Sequence, residues 1–63
     1  MMLDLKELRK NANRMSQTRL CELAGVNRST VSLIENGAIV PSVKVAKKLA
    51  SVFGVDWRGF YDN

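Results

Sequence analysis

The stretch from Ser16 to Gly37 constrains this chain most, because it holds two short helical segments joined only through Gly25, Val26 and Asn27. Ser16 has the side chain of an N-cap, and Leu20, Cys21 and Ala24 fall on one inward face behind it. Gly25 then supplies the positive φ that ends the segment. Asn27 offers a second N-cap at once, Val31 and Ile34 follow at i, i+3, and Asn36-Gly37 closes the unit. Ala24 is small where two crossing helices approach, and Val26 plugs the gap between them. An Asn-Gly pair also occurs in hairpins, but no alternating strand precedes this one, so it reads as a helix end.

The flanks carry the same helical grammar. Leu5, Leu8 and Ala12 recur at helical spacing with Lys6, Glu7, Arg9 and Lys10 between them, while Asn11, Asn13 and Arg14 blur the end. Pro41 followed by Ser42 stops the chain and recaps it, after which Val43, Ala46, Leu49, Ala50 and Phe53 form an inward stripe. Gly54 ends that helix, and Asp56 caps a last short helix through Trp57, Phe60 and Tyr61, weakened by Gly59. The expectation is an all-α, compact five-helix domain spanning residues 1–63, with no strand. At 63 residues there is room for one small core, since a domain of this size buries only about 60% of its unfolded surface.

Composition excludes several functions. Cys21 is the only cysteine and histidine is absent, so no internal disulfide and no zinc site of Cys and His ligands is available. Ser16 and Ser29 have no histidine to activate them. We therefore expect no enzyme, no catalytic residue, no metal and no cofactor. No apolar run reaches the roughly 18 residues of a membrane span, and Met1 to Lys6 lacks the apolar stretch of a signal peptide. The expected protein is soluble and cytoplasmic, with no membrane and no small-molecule substrate among its partners. Its net charge of +4 favours polyanions only weakly.

A stronger pointer lies in the third helix. At about 100° per residue, Arg28, Ser32, Asn36, Ser29 and Leu33 fall in that angular order within an arc roughly 140° wide. Thr30, Ile34 and Val31 lie opposite, and Glu35 sits just outside the edge. The outward face is polar, mostly short-chained and almost free of acids, so it can approach base edges closely. A merely solvated helix usually carries more Glu and Lys.

Across nearly its whole length the sequence resembles the phage repressor and Cro type of helix-turn-helix regulators, the Xre family. The resemblance rests on Leu8, Ser16-Gln17, Leu20, Ala24-Gly25-Val26, Ser29, Val31-Ser32, Ile34-Glu35-Asn36-Gly37, Pro41-Ser42, Leu49-Ala50, Gly54-Val55 and Phe60. It implies a lambda-repressor-like fold of five helices whose third lies in the major groove, with a homodimer reading a two-fold operator in double-stranded DNA. It also implies that Gln17, Arg28, Ser29, Ser32 and Leu33 read bases, Gln17 contacting either the backbone or an outer base. Arg28 is suited to guanine O6 and N7, and Leu33 to a thymine methyl. Alternatively Arg28 is solvated or phosphate-bound, and Leu33 is the edge of the core.

The backbone set implied is Ser16, Asn27, Thr30 and Asn36, while Lys10, Arg14 and Lys44 are candidates to replace phosphate contacts that the loop after Gly37 no longer offers. Ser16 and Asn27 are caps in any case. Glu35 is structural by the same resemblance, paired with a basic residue at the position of Lys10. The loop after Gly37 departs from the family, since Ala38-Ile39-Val40 replaces a segment that is often basic, and Arg14 stands where many members have glycine. Ile39 and Val40 are candidates to join Trp57 and Tyr61 in a self-complementary dimer interface, unless Trp57 simply covers the core around Ala46 and Cys21. Cys21 reads as a small buried packing residue. Two other readings stand beside the repressor: an antitoxin or antirepressor whose protein partner docks on Ile39, Val40, Leu23 and Trp57, and an accessory domain of a larger chain. The initiator-like Met1 and a fold completed by Asn63 favour a whole small protein over the last.

Overall fold

The computed structural model describes residues Leu3 to Tyr61. Met1, Met2, Asp62 and Asn63, the ends of the expected domain, lie outside the described residues. Four α-helices follow one another: α1 (Leu5–Asn11), α2 (Gln17–Ala24), α3 (Arg28–Glu35) and α4 (Val43–Phe53). The chain finishes in a 3-10 turn, Trp57–Phe60. No strand occurs among the described residues.

Local chemistry explains most of the boundaries. Asp4 accepts from the amides of Lys6 and Glu7, Ser16 from Arg19, Ser42 from Val45, and Asp56 from Arg58. Gly25 and Gly54 end α2 and α4 with φ of 68° and 66°, conformations in which an L side chain would crowd the backbone. Asn27 corrects the expectation: its φ and ψ are those of a residue entering a helix, yet its side chain makes no capping bond. The first-turn amides of α3 thus receive nothing from it.

The expected fifth helix is also corrected. The segment after Asp56 makes i to i+3 bonds, with Gly59 N–H donating to Asp56 C=O at 3.0 Å and Tyr61 N–H to Arg58 C=O at 3.0 Å. Four residues between a cap and a packed aromatic cannot develop the longer α-type ladder. The turn is pinned from above by Leu3, whose N–H donates to Gly59 C=O at 2.8 Å. A Cβ on Gly59 would lie 2.8 Å from the Leu3 side chain, so glycine permits that closure.

Leu5, Leu20, Val31, Ala46, Leu49, Ala50 and Phe60 form the core. Every element contributes at least one of them, so no helix is stable without the others. Ala24, Val26, Ile34 and Phe53 pack on the cluster from its margin. Val43 does not join the inward stripe of α4 and is 49% exposed. It lies only about 20° around the helix from the buried Ala50, so it is its place as the first residue of α4 that leaves it outside the core. Cys21 is half-buried rather than buried, because Leu20 occupies the centre of the α2 face and the next residue is turned about 100° away.

Candidate nucleic-acid interface

The left-handed Gly25 turns the chain sharply between α2 and α3, so that Val31 of α3 and Leu20 of α2 meet in the core, both fully buried. Burying Val31 dictates what the other side of α3 presents. Arg28, Ser29, Asn36 and Leu33 are exposed, Leu33 by 43%, while Ser32 is half-buried. These residues form the outward face expected from their spacing, and the structure brings them together. Thr30 lies off that face and is half-buried.

Glu35, at the edge of the face, is the most enclosed acid of the site, its side chain only 3% exposed. Its partner is Arg9 and not Lys10. Arg9 Nε donates to Glu35 Oε2 at 2.5 Å and Nη2 to Oε1 at 2.8 Å, a two-point fork. Nη1 of the same guanidinium donates to Met15 C=O at 2.8 Å, which ties the α1–α2 turn to α3. The geometric reason is visible on α1: Arg9 stands one turn after the buried Leu5 and shares its face, whereas Lys10 is rotated about 100° outward. The Leu5 to Arg9 spacing places Arg9 on the buried side of α1, but which residue it meets there is set by how α1 crosses α3.

Gln17 completes this cluster. Its Nε2 donates to Glu35 Oε1 at 2.9 Å, so one carboxylate holds together the ends of α1, α2 and α3. Burial pushes the Glu35 carboxyl up, but the hydrogen bonds from Arg9 and Gln17 and the charge of Arg9 outweigh it, leaving the pKa below the usual carboxylate value. Arg9 is held above its ordinary value, first by its hydrogen bond to Glu35. The pair is therefore ionised at neutral pH.

The remaining expected backbone contacts are dispersed around this centre. Ser16 is exposed and engaged as a cap, Asn27 is exposed and uncommitted as a cap, and Lys44 is exposed in the first turn of α4. Lys10 and Arg14 line one shallow hollow with Arg9 and Met15. The turn that brings them there carries two non-glycine residues with positive φ, Asn13 at 60° and Arg14 at 57°.

The residues expected at a dimer interface are only partly assembled. Ile39 and Val40 are 42% and 63% exposed and line a groove of about 510 Å³ with Leu3, Leu5, Ile34 and Phe60. Tyr61 reaches the same loop, its hydroxyl donating to Pro41 C=O. Trp57 stands behind it, edge-on to the Tyr61 ring with centroids 6.1 Å apart. Lys47 Nζ lies 5.3 Å from the Trp57 ring centroid, and the indole packs against the core cluster. Trp57 is thus engaged within the chain and does not line the groove. No helix of the described residues is long and apolar enough to cross a membrane.

A family model described as helix-turn-helix matches residues 5–60. The uncharacterized HTH-type transcriptional regulator YqaF of Bacillus subtilis (strain 168) is 35% identical over 60 residues, covering 92% of this chain and 79% of its own. An uncharacterized HTH-type transcriptional regulator of Archaeoglobus fulgidus is 43% identical over 49 residues, 78% of this chain and 68% of its own. HTH-type transcriptional regulator PuuR of Escherichia coli (strain K12) is 33% identical over 57 residues, 90% of this chain but only 30% of its own, so this chain spans under a third of that relative. No solved structure matches. With the capped helices, the left-handed Gly25 and the outward face of α3 in place, the chain belongs to the helix-turn-helix family, of the Xre type, alongside relatives that are transcriptional regulators.

Proposed function

We propose that this chain is a sequence-specific double-stranded DNA binder that regulates transcription, a repressor of the phage or Cro type that occupies a two-fold operator as a homodimer. The observation that carries this reading is the exposed face of α3, where Arg28, Ser29, Ser32, Leu33 and Asn36 lie together and the one adjacent acid, Glu35, is turned inward and neutralised by Arg9. A helix fits the major groove, and a face of short polar side chains lets the backbone come close to base edges. Arg28 is free to take guanine in bidentate fashion, and Leu33 has the exposure to meet a thymine methyl. Ser16, Asn27, Thr30 and Asn36 are assigned to phosphates, with Lys10, Arg14 and Lys44 as the basic contacts.

Dimer formation is assigned to Ile39 and Val40 with Tyr61 and Trp57 at the margin, since an exposed apolar rim beside a groove is suited to a self-complementary contact. Repression then needs no chemistry beyond occupying the operator. Selection from a random duplex pool at low salt, followed by anisotropy titration, tests the reading. A palindromic site with half-sites about one helical turn apart is expected, with affinity falling steeply as salt rises. If no duplex is preferred over random DNA, the reading fails.

A further inference from the structure

The Glu35 side chain is only 3% exposed, yet it holds a residue that does reach the margin of the α3 face. On α3, Glu35 lies about 20° from the angular position of Arg28 and one turn from Ser32, so Gln17, bonded to it, flanks the outward face at its C-terminal end. An ionised carboxylate only accepts hydrogen bonds. The Gln17 amide can therefore face Glu35 only with its NH2 group, and the flipped amide, with oxygen toward oxygen, is excluded. Arg9 clamps the carboxylate at both oxygens and is itself anchored on Met15 C=O, so the acceptor that sets the amide does not rotate away.

Resting on the DNA-binding reading above, we infer that Glu35 is a positioning residue for base recognition: it fixes Gln17 so that Oε1 and the second N–H form a donor and acceptor edge selective for adenine. Adenine offers N6–H to the oxygen and N7 to the N–H, a pairing that guanine, with O6 in place of the amine, cannot satisfy. The device places a specificity determinant in a residue that meets no DNA. It also explains why a half-buried glutamine shares an acid already matched by an arginine.

The test compares base preferences within each variant, because a ratio between two duplexes measured on one protein does not depend on the fraction folded. Gln17→Ala is expected to erase an adenine preference at one position of each half-site, by about fivefold to a hundredfold. Glu35→Gln lets the new amide donate to Gln17 Oε1, turning the Gln17 NH2 outward. The same adenine preference should collapse or move toward guanine while other positions change less than about twofold. In the Gln17→Ala background, Glu35→Gln should have no further effect at that position. Arg9→Lys keeps the charge but loses the fork, and a partial loss at the same position is expected; it decides the matter should Glu35→Gln not fold. Unchanged adenine preference in Glu35→Gln, a uniform loss across all positions, or no base preference assigned to Gln17 would each overturn the inference. If the wild-type chain selects no site, the DNA-binding reading falls and takes this one with it.

Discussion

Arg14 shows how much a single residue costs when the chain path demands a left-handed turn. Its φ of 57° follows that of Asn13 at 60°, and asparagine tolerates this region far better than arginine does. Arg14→Gly removes the Cβ conflict but gives the unfolded chain more freedom, so we expect a net gain of about 0.5–1 kcal/mol. Urea unfolding followed by circular dichroism measures it; a loss of stability would show that the arginine makes a compensating contact. Under the proposed function the same substitution removes a phosphate contact, lowering affinity for all duplexes alike and reducing the salt slope by about 1. Stability and binding would then move in opposite directions. Glu35 behaves differently at this scale, because a charge that is 3% exposed beside one that is 13% exposed is expensive to strand. Glu35→Ala is expected to cost about 3 kcal/mol, whereas replacing Arg9 and Glu35 together by apolar residues of similar size should be far milder.

Each helix depends on its first turn, and the caps divide into two kinds. Ser16 and Ser42 accept from amides at 3.0 and 3.3 Å, so Ser16→Ala and Ser42→Ala should each destabilise by about 1 kcal/mol. Asn27 makes no such bond, and Asn27→Ala should change the urea midpoint by no more than about a few tenths of a kcal/mol. If Asn27→Ala matched the serine variants, the cap bond would be forming in solution. A loss of DNA affinity in Asn27→Ala without a loss of stability would in turn support its assignment to a phosphate. The α1–α2 turn is the other element under tension, held from Arg9 through Met15 C=O as the chain passes through two left-handed residues.

For the molecule as a whole, a small core makes each central side chain decisive. Leu20 is fully buried, and Leu20→Ala should remove about 2–5 kcal/mol from a total of about 3–5 kcal/mol for a domain this size. Thermal unfolding should show a largely unfolded variant at physiological temperature. The pH response follows from Glu35, whose carboxyl is depressed in the folded state. A depressed acid contributes its full stability above its unfolded pKa of about 4.3 and loses it as pH falls through the lower folded value. The urea midpoint should thus be insensitive to Glu35 from neutral pH to about pH 5 and fall below about pH 4, with a shallower fall in Glu35→Gln. Asp56 is depressed as well, first by its side-chain hydrogen bond from Arg58, but that pair stands in solvent and salt screens it.

The order of the helices and the type of the first four were legible in the sequence because capping serines, terminating glycines and apolar spacing act within a few residues of one another. So was the outward face of α3, since burying Val31 and Ile34 leaves the polar residues nowhere else to point. What the tertiary structure decided depends on how helices cross. Only the approach of α1 to α3 selects Arg9 over Lys10 as the partner of Glu35, and only the seating of α2 against both adds Gln17 to the pair. The exposure of Val43, the unused cap of Asn27 and the tightening of the last segment into a 3-10 turn under Leu3 have the same origin. Spacing along one helix names a face, but which neighbour meets that face is set by residues far away in the chain.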